Sequence, residues 1–210
     1  MAKDSRYCTP YRRRKEGKTD YYARRALILS GRPRVVVRSS LKNVVAQIVT
    51  AKPEGDRLVI SAHSRELARK YGWKASRGNL PTAYLTGFLC GLKAKSQGLE
   101  EAIPDIGLNS PSKGARVFAV LKGLLDAGIH VPVGEEKLPD EKRLKGEHIA
   151  QYARSFSSNA EEYQTRFSKY IEQKLNPEDL AGKFAEAKKE IQLEFKNGGK
   201  KHEKPKPQRI

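Results

Sequence analysis

Arginine, lysine and tyrosine residues are interleaved in the first 42 residues, and together they supply the chemistry for binding a nucleic acid. This segment holds thirteen Lys and Arg residues against three acidic ones, with Tyr7, Tyr11, Tyr21 and Tyr22 among them. Cationic side chains bind phosphates, and tyrosine rings stack on bases or pack on sugars. A solvated terminus or a targeting signal would explain the charge, but neither needs the tyrosines. We therefore expect this segment to bind RNA.

Within this segment, residues 12–25 have too few aliphatic side chains to bury a core that would offset the entropy lost on ordering. We expect residues 1–30 to form an extended basic arm that folds only against a polyanion. The residues expected to neutralise phosphates are Arg12, Arg13, Arg14, Lys15, Lys18, Arg24 and Arg25.

Residue types that catalyse reactions or bind metals form no recognisable motif in this chain. The four histidines are His63, His130, His148 and His202, and none has a nucleophile and a base at the spacing of a known catalytic motif. Neither cysteine has a second metal ligand nearby in the sequence. No glycine-rich nucleotide-binding motif is present. We expect no cofactor, no metal and no catalytic activity.

The whole chain is basic, which favours a polyanionic partner. Its 210 residues carry a formal net charge of +18. No stretch approaches the ~18 consecutive apolar residues of a membrane-spanning helix, and the amino terminus lacks an apolar signal core. We expect a cytoplasmic protein with no membrane partner.

Three β-branched runs follow the arm and predict an antiparallel meander. They are Val35–Val37, Val44–Val49 and Leu58–Ile60, separated by polar connections that contain Pro and Gly. Arg38 and Lys42 would place cations on a sheet that faces RNA, although the polar face of such a sheet can equally meet water.

Helices and one more strand are expected after the meander. Ser64 is expected to cap a short helix that ends at Gly72, and the apolar spacing from Leu85 to Leu92 predicts a longer helix. A strand is expected at Ile103–Leu108, followed by a helix that Ser110 caps.

This order predicts the α/β class, with helices packed on a mixed sheet over residues 31–134, because a strand after a helix joins the sheet through a crossover. A linker and a helical carboxy-terminal extension are expected over residues 135–196, with its last helix capped by Asn176. Residues 197–210 are expected to be a disordered basic tail. The apolar stripes of the extension need a partner, which could be the domain, each other or another protein.

Several blocks of the sequence resemble one known family, the universal large-subunit ribosomal protein eighteen, whose eukaryotic counterpart is large-subunit protein five. The resemblance covers about residues 1–152, and the arm makes it similar to the archaeal type. The blocks that carry it are Arg6–Tyr7, Arg12–Arg25, Arg32–Arg34, Tyr71–Trp73, Ala83–Gly87, Asp105–Pro111 and Gly146–Ile149.

The resemblance implies a structural protein of the large ribosomal subunit that binds 5S rRNA and helps to attach it to 23S rRNA in the central protuberance, next to other ribosomal proteins. It adds Arg6, Arg32 and Arg34 to the expected rRNA-binding residues. Two alternatives stay open: an RNA-processing or RNA-modifying enzyme with a pocket at His63, Asp105 or Asp126, and a general nucleic-acid chaperone.

Overall fold

The computed structural model describes residue 4, residues 7–156 and residues 159–196, and these residues form a mixed α/β protein. Arg6 and the predicted tail at 197–210 lie outside the described residues. The strands are β1 (Arg34–Ser39), β2 (Val44–Lys52), β3 (Gly55–His63) and β4 (Ile103–Asp105). The helices are α1 (Arg12–Lys15), α2 (Tyr21–Leu29), α3 (Ser64–Lys70), α4 (Leu80–Ser96), α5 (Arg116–Asp126), α6 (Glu141–Lys145), α7 (Glu147–Ser155), α8 (Ala160–Glu172) and α9 (Leu180–Lys196).

The four strands form one mixed sheet in the order β3-β2-β1-β4, which confirms the predicted fold class. β1 pairs antiparallel with β2 and β2 with β3, whereas β4 lies parallel to β1 after the crossover through α3 and α4. β4 ends at Asp105 and not at the predicted Leu108. The reason is Gly107, whose φ of +61° turns the chain away from the sheet.

The sheet has one apolar face and one polar face because side chains alternate along each strand. Val35 and Val37 on β1 and Ala46 and Ile48 on β2 are buried against α4 and α5. The alternate positions of β1 carry Arg34, Val36 and Arg38, so that the cations of this strand lie on the opposite face. This alternation places the core on one side of the sheet and a charged network on the other.

The backbones of helices α4 and α5 lie in direct contact where the helices cross, because each helix has a glycine at the crossing point. A Cβ atom on Gly87 of α4 would lie 2.0 Å from the carbonyl oxygen of Val120, and one on Gly123 of α5 would lie 2.3 Å from that of Tyr84. α4 can therefore bury residues on almost every side, including Leu85, as the central helix of the core.

Two helix starts differ from the sequence prediction. His63, and not Ser64, caps α3: its Nδ1 accepts the N–H of Arg65 while Glu66 accepts the N–H of His63. The Ser64 hydroxyl instead accepts the N–H of Val44, which ties the helix to the sheet. The prediction that Ser110 begins a helix is also wrong, because the chain first turns through Gly114 at φ +68°.

The carboxy-terminal helices pack against the same core as the sheet. Leu180, Phe184 and Ile191 of α9 are buried in the cluster that also holds the residues of α4 and α5. The rings of Phe184 and Tyr84 lie 5.4 Å apart, and the Tyr84 hydroxyl accepts a hydrogen bond from Lys188 at 2.6 Å. The apolar stripe of α9 is thus covered by the α/β body, which resolves the question that the sequence left open for this helix.

Substituting Gly87 by alanine should lower the free energy of unfolding by about 3 kcal/mol, because the new methyl group meets the rigid backbone of α5 and the two helices must separate. Gly182→Ala, at an exposed position of α9, is the matched control, since its Cβ would meet nothing within 4 Å and alanine favours helix by up to ~1 kcal/mol. Urea unfolding measures both. Equal stabilities would contradict the close crossing.

Candidate nucleic-acid interface

The basic segment forms two short exposed helices, so the prediction of an extended arm is not confirmed. Asp20 begins α2 by accepting the N–H groups of Tyr22 and Ala23 through its carboxylate. Arginine and alanine favour helix over the residues that follow. Neither α1 nor α2 has a buried residue, which agrees with the expectation that this segment has no core of its own. We call residues 11–29 the arm helices.

The arm helices present cations and aromatic rings to solvent. Tyr11 is 88% exposed and Tyr22 83% exposed, and Tyr7 just before them is 53% exposed. Tyr21 is also exposed. The exposed cations of this segment are Arg12, Arg13, Arg14, Lys15, Lys18 and Arg25. Glu16 pairs with Arg12 at 3.4 Å and with Lys18 at 2.6 Å. Rings and cations on one accessible segment can stack on bases and neutralise phosphates.

Arg34 does not belong to this exposed surface, although the resemblance placed it among the rRNA-binding residues. Only 1% of its side chain is exposed, and its guanidinium donates to Asp56 at 2.7 Å and to Asp105 at 3.1 Å. A buried cation needs such partners because desolvation would otherwise be very costly. Two carboxylates thus engage the Arg34 guanidinium inside the protein, and we leave this residue out of the proposed interface.

Arg38 lies next to this pair and remains half exposed. Its guanidinium donates to the Asp105 carboxylate at 3.0 Å and to the carbonyl oxygens of Val37 at 2.8 Å and Asp105 at 2.9 Å. Gly107 packs against it so closely that a Cβ atom there would lie 2.9 Å from the Arg38 Cζ. The plane of this guanidinium is therefore fixed before any ligand binds.

Asp56 connects the arm helices to the sheet. Arg24 of α2 donates to one of its carboxylate oxygens at 2.9 Å, and Arg34 of β1 donates to the other at 2.7 Å. Burial by itself would raise the pKa of Asp56, but the two arginine hydrogen bonds outweigh it and hold the pKa below its usual value of 3.8. Asp56 is therefore ionised at neutral pH and bridges two cations.

Two further residues predicted to bind rRNA, Arg32 and Lys42, lie on the surface of the protein. Arg32 is 56% exposed and lies 3.6 Å from Glu101. Lys42 is exposed in the β1–β2 turn. The assignment of individual residues to rRNA contacts stays a prediction.

Sequence reasoning missed Asp56 and the turn after β4. Asp56 lies in an ordinary-looking hairpin, and only the strand register brings it beside Arg34. Asp105 and Gly107 fall inside one of the family-like blocks, so their presence was noted while their role of positioning Arg38 was not. The available signal in the sequence was a glycine two residues after an aspartate, inside the predicted strand Ile103–Leu108.

The residues named for an enzyme alternative all have structural roles. His63 caps α3, Asp105 pairs with Arg34 and Arg38, and Asp126 accepts from the Tyr84 hydroxyl at 2.6 Å. Within the described part of the chain, no group of three or more potential metal ligands occurs. Over the same residues, no helix has the length and apolar content that crossing a membrane requires.

The exposed cations and tyrosines suit a nucleic-acid-binding protein, and comparison with known proteins shows that the chain is a ribosomal one. Residues 5–102 match the family described as "Ribosomal large subunit proteins 60S L5, and 50S L18". The chain belongs to this family, whose members are structural proteins of the large ribosomal subunit in the cytoplasm and not enzymes. Family membership thus confirms the expectation of no catalytic activity.

Three archaeal relatives support this over most of the chain, and each is named "Large ribosomal subunit protein uL18". The protein of Staphylothermus marinus is 50% identical over 94% of this chain and 98% of its own length. That of Ignicoccus hospitalis is 52% identical over 93% of this chain and 96% of its own. That of Aeropyrum pernix is 50% identical over 94% and 92%, respectively.

Arg34→Met should lower the free energy of unfolding by about 3 kcal/mol, because it removes the buried cation that pairs with both Asp56 and Asp105. Arg32→Met is the control, since breaking its exposed ion pair should cost less than ~1 kcal/mol. Chemical denaturation at neutral pH compares the two. If both variants are as stable as the wild type, the Arg34 network contributes nothing to the fold.

Asp56→Asn should destabilise the protein at neutral pH and make less difference in acid. The folded-state pKa is depressed, so the carboxylate stabilises the protein fully above its unfolded pKa of about 3.8 and loses this effect as the pH falls through the lower folded value. We expect the gap between wild type and variant to close as the pH falls below about 4. Urea unfolding from neutral pH to below this value measures it, and a constant gap would contradict the assignment.

Proposed function

We propose that this protein binds 5S rRNA through its arm helices and helps to attach it to 23S rRNA in the central protuberance of the large subunit. The observation that carries the proposal is the exposure of the cations and tyrosines of residues 7–25 on a segment that buries nothing in the protein itself. Such a segment has side chains free for phosphates and bases. The resemblance of the sequence blocks to the 5S-binding family supports the choice of RNA.

The α/β body supports this binding because it holds the arm helices in one position relative to the sheet. The ion pair of Arg24 with Asp56 joins α2 to the sheet, and β1 starts five residues after α2 ends. A partly ordered arm loses less conformational entropy on binding than an extended one. We infer that the body sets the direction in which the arm meets the RNA, while the exposed side chains supply most of the affinity.

Specificity for 5S rRNA is proposed to come from its folded shape and its unpaired loops. The major groove of A-form RNA is too narrow for side chains to read, so sequence-specific contacts concentrate on single-stranded nucleotides. Cations on the arm helices would bind the backbone on either side of such nucleotides. The body and the carboxy-terminal helices would then face 23S rRNA and neighbouring ribosomal proteins.

Neutralising the arm should weaken 5S rRNA binding and reduce its dependence on salt. If about five phosphates are neutralised, log affinity should fall with log salt at a slope of roughly −3.5 to −4.5. Replacing Arg12, Arg13, Arg14 and Lys15 by glutamine should make the slope shallower by about 3. Filter binding from 50 to 300 mM salt measures both quantities.

A control variant removes the same charge from the other end of the protein. Lys142, Lys169, Lys189 and Lys196 are exposed on α6, α8 and α9, and their replacement by glutamine should change the slope by less than the arm variant does. Competition with tRNA should leave 5S binding largely intact in the wild type. Equal binding of the two RNAs would favour a general nucleic-acid chaperone, and equal slopes for the two variants would refute the arm as the main contact.

A further inference from the structure

A cleft separates the arm helices from the edge of the sheet, and the proposed function as stated does not use it. Its volume is about 660 Å³, within the ~300–1,000 Å³ typical of small-ligand sites. One wall is formed by Ala23, Ala26 and Leu27 of α2, and the other by Pro104, Leu108 and Asn109 at the end of β4. We call this space the arm cleft.

Cations outnumber carboxylates in the lining of the arm cleft. Arg13, Lys18, Arg24 and Arg38 line it, together with the carboxylates of Asp20 and Asp105. Both carboxylates are already engaged, the first by backbone N–H groups of α2 and the second by two arginines. Lys18 also pairs with Glu16 at 2.6 Å, and Arg24 with Asp56 at 2.9 Å. Among the described residues, Arg13 donates only through its Nε, to Thr19 at 3.1 Å, so its terminal N–H groups can bind an anion.

Arg38 provides a planar surface in the same cleft. Three hydrogen bonds to Val37 and Asp105 fix its orientation, and about half of its side chain stays exposed. A guanidinium held in this way can stack on a nucleobase. Asn109 donates its amide N–H to the carbonyl of Ile106 at 2.7 Å, which turns its amide oxygen into the acceptor left for a base edge.

We propose that the arm cleft binds a single unstacked nucleotide of RNA. The base lies between the apolar walls and against the Arg38 guanidinium, and Arg13 and Lys18 hold the adjoining phosphate. The inference rests on the proposed RNA binding and deepens it, because it names the feature of the RNA that is recognised. A paired duplex cannot supply this ligand, since its bases are stacked in the helix interior.

The arrangement fits a nucleotide better than an acidic protein segment. An acidic segment would use the cations but would place flexible carboxylates against Leu27 and Leu108, where they would be desolvated without partners. A base has two apolar faces and a polar edge, and the cleft has apolar walls and a polar amide. Planar and apolar contacts beside cations match base and phosphate together.

The test uses the full chain and a short RNA hairpin with one bulged 2-aminopurine, compared with the same hairpin lacking the bulge. We expect the bulged hairpin to bind about 10-fold more tightly and its 2-aminopurine fluorescence to change on binding. Ala26→Trp should fill the cleft and reduce this preference to about one. Ala185→Trp, at an exposed position of α9, should keep the preference of the wild type.

A second variant guards against an indirect effect of the large tryptophan. Arg38→Lys keeps the charge but removes the planar group, so the preference should fall at least about 3-fold. No preference in the wild type, or a preference that survives Ala26→Trp, would overturn the inference. The selectivity of the wild type for 5S rRNA over tRNA is measured in parallel. If the wild type shows no such selectivity, the proposed function is contradicted. If it shows this selectivity but no preference for the bulged hairpin, only the proposed nucleotide site in the arm cleft is contradicted.

Discussion

The organisation of the charged face of the sheet depends on one buried guanidinium. Arg34 has no exposed surface to speak of and is held by Asp56 on β3 and Asp105 on β4, so it connects the two edge strands across the sheet. The carboxylate of Asp105 in turn fixes Arg38, and that of Asp56 holds Arg24 of the arm. Because an unpaired charge in this position would be very costly, the network favours one arrangement of the sheet, the turn after β4 and the arm.

The apolar side of the protein meets a different requirement, which is close backbone packing. Gly87 and Gly123 let α4 and α5 touch along their backbones, and α9 then covers α4 through Phe184 and its neighbours. The sheet is thereby covered on its apolar face alone. Its polar face and the arm helices are left to carry charge, which is the division that a protein needs if it is to fold by itself and still bind a polyanion.

Family membership and geometry contribute different knowledge. The relatives establish a structural protein of the large ribosomal subunit, while the structure distinguishes cations that stabilise the protein from cations that remain free to bind. Arg34 belongs to the first group, exposed Arg14 to the second, and Arg38 to both, since it is fixed by Asp105 and still half exposed. The amino-acid composition cannot distinguish these arginines, because all carry the same charge whether they are buried or exposed.

The sequence by itself determined the three-strand meander, the crossover to β4 and the Asn176 cap of the helical turn Pro177–Asp179 that leads into α9. Alternation and capping are local patterns that a few neighbouring residues specify. It also determined the basic, tyrosine-bearing character of the arm. Tertiary structure alone decided that His63 caps α3, that Arg34 is internal and that α9 covers α4. Each of these depends on residues distant in sequence or on competition between equally suitable neighbours, so no local pattern could have specified it.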